Sequence, residues 1–180
     1  MSRPHQQQKF RMENWIYSDG APFVCATQSI RKLWKGVSGS SIGATESDYE
    51  RVCKETTYLS AISCCTSQVL VLGDEPAQAA FFTTPGGPVI ARWIACDSME
   101  LADSMLKQVP AVLPHLQPAV QFQIDEPQLW MFDASSNSAM PAAPTSVINL
   151  SPGRFEVTTE RYREERAFDF WIHRFVRSEH

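Results

Sequence analysis

At 180 residues the chain has room for one domain and not comfortably for two. It is 43% hydrophobic and 20% charged, enough apolar side chain for a core, so wholesale disorder is excluded. No apolar run approaches the roughly 20 residues of a membrane helix, and the first 14 residues lack the apolar stretch of a secretory signal.

The net charge of -4 is unevenly spread. Residues 1–45 hold six basic against two acidic side chains, residues 46–133 twelve acidic against four basic, and residues 134–180 six of each. A middle stretch at net -8 repels nucleic acid and steers basic proteins toward itself. Five cysteines, an odd number without a CxxC pair, read as reduced thiols of a cytoplasmic protein.

Residues 1–14, with three glutamines in a row, are expected to be a flexible tail, and residues 15–176 a single domain. Residues 15–17 and 23–26 read as short strands around a Ser18-Asp19-Gly20 turn. Thr27 is placed to cap a helix carrying Ile30, Leu33, Trp34 and Val37 at helical spacing, which Gly36 would end. After a small, polar loop at 38–44, a second helix opens with Thr45-x-x-Asp48 and Ser47-x-x-Glu50 as competing capping boxes.

Residues 59–65 and 68–72 then form a hairpin, and the non-alternating run at 69–72 predicts a strand buried on both faces. Residues 79–83 and 89–95 pair around Pro85-Gly86-Gly87, and Asp97 caps a third helix that Pro110 stops. Residues 120–124 and 129–132 are strands joined through Asp125-Glu126-Pro127, followed by a loop at 135–145. Alternation of Phe155, Val157 and Thr159 predicts a final hairpin whose second strand is 167–176 and whose charged tip is 163–166. Helices without regular βαβ alternation give an α+β fold, a mostly antiparallel sheet with two or three helices.

Chemistry-bearing patterns are sparse. The histidines are His5, His115, His173 and His180, with no HExxH or HxH spacing, so no metal site and no cofactor is expected. Cys64-Cys65 would point to opposite faces of a strand and read as core thiols. Cys25 or Cys96 with His173 would supply a nucleophile and base, so a small cysteine- or carboxylate-dependent hydrolase stands as the alternative function. Phosphate-loop patterns are absent, and the arginines of residues 161–177 are diluted by glutamates.

Several polar and aromatic motifs stand in a distinctive order. They are Trp15-Ile-Tyr-Ser-Asp-Gly-Ala-Pro-Phe23, Trp34-x-Gly36, Asp48-Tyr49-x-x-x-Cys53 and Leu70-Val-Leu-Gly-Asp-Glu-Pro76. Ala91-Arg-Trp-Ile-Ala-Cys-Asp-Ser98, Trp130-Met-Phe-Asp-Ala-Ser135, Leu150-x-Pro-Gly153-Arg-Phe-Glu-Val157 and Ile172-x-Arg174 complete the series. Together they resemble immunity protein 21 of bacterial polymorphic toxin systems, over nearly the whole chain from Trp15. The resemblance implies a non-enzymatic protein that protects its producing cell by binding a cognate toxin, and it brings no catalytic residues with it. Cys64-Cys65 departs from the family pattern, where small residues are usual.

The toxin interface expected from this sequence is acidic: Glu46, Asp48, Tyr49, Glu50, Asp74, Glu75, Asp97 and Glu100. These side chains fall in turns and first helical turns, which lie on surfaces. If they shared one edge they would mimic the polyanionic substrate of a basic, nuclease-like toxin. Trp15, Trp34, Trp93 and Trp130 are expected mostly in the core, and the 163–166 tip is the second choice of interface.

Overall fold

The computed structural model describes residues 15–73, 75–139 and 144–178. The expected tail at 1–14, Asp74, residues 140–143 of the expected loop, and His180 lie outside the described residues.

The apolar run at 69–72 lies in a strand, β4 (Ser67–Leu72), and all four side chains are essentially inaccessible to solvent. Leu70 and Leu72 enter a core between two sheets, while Val69 and Val71 pack beneath helices on the opposite side. Burial on both faces needs a mid-sheet position. β4 has one, between β3 (Leu59–Cys64) and β2 (Phe23–Thr27), in a five-stranded sheet completed by β8 (Gln128–Asp133) and β9 (Thr145–Asn149).

The facing sheet has six strands. Its order is β1 (Ile16–Tyr17), β5 (Gln78–Thr84), β6 (Gly87–Cys96), β11 (Phe168–Arg177), β10 (Gly153–Glu164) and β7 (His115–Ile124). Every described pairing is antiparallel. Helix α3 (Met99–Leu106) covers the outer face of the six-stranded sheet through Ala102 and Leu106. α1 (Gln28–Leu33) and α2 (Asp48–Val52) cover the outer face of the five-stranded sheet through Ile30 and Val52. The result is a single α+β domain of four layers, with the main core between the sheets.

Several local expectations give way to tertiary context. Residues 15–27 are not a hairpin: β1 pairs with β5, whereas β2 pairs with β4 and β8. α1 ends at Leu33 because Trp34 turns extended, so Leu33 and Val37 are exposed instead of inward-facing. Ser47 wins the capping competition, with both halves of its box to Glu50 formed. Ser98, one residue beyond Asp97, caps α3 by accepting from the Leu101 N–H at 3.2 Å. β7 and β8 are consecutive but belong to different sheets, and β9 falls where no strand was foreseen.

Four strands of the six-stranded sheet, β6, β7, β10 and β11, run to ten or twelve residues, against five or six for every strand of its partner. Along the inward face of β10 the side chains therefore change character. Phe155 and Val157 are core, Thr159 is buried and polar, and Arg161 is exposed. Their partners on β11 follow the same sequence: Arg177 and Phe175, then His173, then Trp171. On β6, Ile90 is core, Arg92 is buried and Ile94 is 38% exposed. The long strands thus carry their inner face past a polar layer and out of the sandwich.

Candidate functional site

The overhanging face forms the floor of an open groove of about 420 Å³, with Ile94, Arg161 and Trp171 on it and residues 75–77 along one rim. Trp93 also borders it, its ring held on the outer side by edge contacts with Trp15 (5.3 Å) and Phe170 (5.7 Å). Tyr58, 41% exposed, meets Trp171 edge-on with ring centroids 4.5 Å apart. Arg161 donates from Nε to Asp169 Oδ1 at 2.9 Å and from Nη2 to Oδ2, a two-pronged pair that fixes its side chain and raises its pKa.

The rim is held from within. Arg92, fully buried between the sheets, donates to the carbonyl oxygens of Gly73 (2.9 Å) and Pro76 (3.0 Å), and its guanidinium lies 5.3 Å from the ring centre of Phe23. The peptide between Glu75 and Pro76 is cis, and Glu75 itself is exposed. A lysine has no planar fork to hold both carbonyls from one side. Behind Arg92 the His173 ring shares a hydrogen bond with Thr159 Oγ1 at 3.0 Å, and burial, with Arg92 as a lesser cause, lowers its pKa to about 3.

Of the eight expected interface residues, only Glu75 borders this groove, and Asp74 lies outside the described residues. Asp48 is a correction: it is fully buried, not a surface acid. Its carboxylate accepts from the N–H of Lys35 (2.9 Å) and from the N–H and hydroxyl of Ser41, with Arg51 3.5 Å away. It fastens the 35–41 loop to the first turn of α2. Glu46 pairs with Lys54, and Glu50 accepts from Ser47 in the capping box, which holds its pKa down. Tyr49 is half-buried against the cluster under the five-stranded sheet.

Asp97 and Glu100 are exposed beside α3, on the opposite outer layer from α2. The acids of α2 and those at α3 therefore lie on opposite outer layers and do not share one edge. Asp97 does share a hollow of about 310 Å³ with residues 163–169, so the first and second choices of interface meet there.

The thiols are dispersed. Cys25 is fully buried and burial pushes its pKa up, so it is poorly suited to nucleophilic attack. His173 bonds Thr159 instead of a cysteine. Cys64 and Cys65 do not both belong to the core: Cys64 is buried, and Cys65 is exposed in the β3–β4 turn at φ 54°. Both reach Ser41, Cys64 Sγ lying 3.3 Å from its hydroxyl and Cys65 Sγ 3.5 Å from its carbonyl.

Sequence reasoning missed Tyr58, Arg161 and Trp171. The alternation that identified Phe155, Val157 and Thr159 as one face continues to Arg161, and pairing places Trp171 opposite it.

A family model for immunity protein 21 matches residues 14–167 of the chain. The chain belongs to that family. It is therefore an immunity protein of a toxin system, with a cognate toxin as its partner. No curated protein matches it, and no solved structure does. The immunity protein 21 match stops one residue short of β11, the strand that joins β6 to β10. Among the described residues no helix is long and apolar enough to cross a membrane.

Two of the motifs that carried the resemblance meet at the groove. Arg92 from Ala91-Arg-Trp-Ile holds the turn of Gly-Asp-Glu-Pro76, and both segments border the same depression. Trp34-x-Gly36 and the motif ending at Ser135 form a second unit: Trp34 Nε1 donates to Ala134 O at 3.0 Å, and Val37 N to Ser135 O at 3.3 Å.

Proposed function

We propose that this immunity protein neutralises its toxin by binding it one to one, in the cytoplasm of the producing cell, and covering a surface the toxin needs. The groove is the proposed contact surface, and residues 15–176 are the unit that carries it. One observation carries this reading: an indole and an arginine on paired strands, with a phenol packed edge-on against the indole, bring the side chains most enriched at binding hot spots together at the surface. The net -8 of residues 46–133 supports a basic toxin surface, of the kind a nuclease presents.

Titration of purified protein against the active toxin tests it. Complete inhibition at about one copy per toxin, using a chain that begins at Trp15, is the expected result. Protection at catalytic amounts, or toxin that stays inactive after the immunity protein is removed, would instead mean chemical reversal or modification.

A further inference from the structure

We infer that the groove receives one cationic side chain of the toxin, a lysine or an arginine, held between the Glu75 carboxylate and the rings of Tyr58 and Trp171. This deepens the reading above and rests on the groove being the contact surface.

Charge complementarity carries the argument. The groove's own cation, Arg161, is already matched by Asp169 through two hydrogen bonds. Among the described residues the charge left at the rim is Glu75, which is exposed. An aromatic face beside a carboxylate attracts a cation by two additive effects, the ring quadrupole and the full negative charge. The chain uses the first effect internally. Arg31 lies 4.8 Å from the centre of the Trp130 ring, Arg92 5.3 Å from Phe23 and Arg177 5.3 Å from Phe155. Among the described residues no cation does this for Trp171 or Tyr58.

The receiving groups are also fixed in advance. Arg92 holds the carbonyls on either side of Glu75, and the edge-on contact with Tyr58 steadies Trp171. A partner that docks there orders few side chains on this side of the interface, which lowers the cost of binding.

The test measures affinity for the inactivated toxic domain of the cognate toxin at two salt concentrations. It uses the unaltered protein, Glu75→Gln and Glu75→Lys at an exposed position, and Trp171→Ala at a half-buried one. We expect Glu75→Gln to weaken binding roughly tenfold or more and to flatten its salt dependence. Glu75→Lys should abolish binding, and replacing one lysine or arginine of the toxin with glutamate should restore it to that variant. Trp171→Ala should weaken binding by a comparable factor. If Trp171→Ala weakens binding while Glu75→Gln leaves affinity and salt dependence unchanged, the groove is the interface but its occupant is not cationic, and this inference fails alone. If neither change matters, the toxin binds elsewhere and the groove reading fails with it.

Discussion

Glu160 and Arg174 form an ion pair within the outer layer of the six-stranded sheet, 3.0 Å apart with 3% of either side chain exposed. Arg174 also donates to the carbonyl of Pro110 at 2.7 Å, and Thr158 donates its hydroxyl to Glu160 at 2.7 Å. The pair thereby ties the segment after α3 to β10 and β11. Removing one partner strands a charge where little solvent reaches, at a cost of roughly 3–5 kcal/mol. Urea unfolding of Arg174→Met should show a loss of that size. A loss below about 1 kcal/mol would mean that the site is wet enough to solvate Glu160 alone.

His173 makes stability depend on pH in one direction. Its pKa is lowered from 6.5 to about 3 in the fold, so the unfolded chain takes up a proton near pH 6.5 that the native state refuses until about pH 3. Stability is therefore fully retained above pH 6.5 and falls as pH drops through that window, at up to about 1.4 kcal/mol per pH unit. Unfolding free energies measured between pH 4 and 7 should fall less steeply for His173→Gln, by up to one proton. Equal slopes would show that the native ring is already protonated.

Gly36 explains a motif. Its φ is +56°, and a Cβ there would lie 2.3 Å from the carbonyl oxygens of both Ser135 and Ser136. These are backbone atoms, which cannot swing aside as a side chain would, in a segment fastened by the bonds of Trp34 Nε1 to Ala134 O and of Val37 N to Ser135 O. Gly36→Ala should cost more than about 2 kcal/mol, a left-handed backbone penalty added to a forced backbone shift. A Tm within a degree or two of the original would show that the 135–136 segment yields.

Thiol exposure gives a chemical map of the layers. Cys53 and Cys65 are exposed, Cys96 is half-buried, and Cys25 and Cys64 are buried. A thiol reagent should label two cysteines quickly, a third more slowly, and the last two only at the rate of opening of the core. Fast reaction of Cys64 would mean that the contacts of Ser41 with the β3–β4 turn are not maintained in solution.

The parts of this fold legible in the sequence were those whose signal is local. Residues 69–72 announced a doubly buried strand because four large apolar side chains in a row fit nowhere else. The C-terminal hairpin was legible from the period-two pattern at Phe155, Val157 and Thr159. β9 was hidden because a five-residue edge strand after a proline-rich stretch carries little apolar patterning. Asp48 looked like a surface acid because a carboxylate in a first helical turn usually is one, and nothing local revealed the donors at Lys35 and Ser41. The groove was least legible, since Tyr58, Glu75, Arg161 and Trp171 come from distant parts of the chain and meet only once both sheets exist.

The place of β11 bears on how the protein is made. This strand is the last element of the described chain, yet it lies inside the six-stranded sheet, between β6 and β10. Until it emerges from the ribosome, the β5–β6 hairpin and the β10–β7 pair have no hydrogen-bonded link, and the facing edges of β6 and β10 stay unpaired. Non-local pairing of this kind folds slowly and leaves apolar surface open meanwhile. A copy whose translation breaks off before residue 168 lacks the strand that joins the two halves of this sheet.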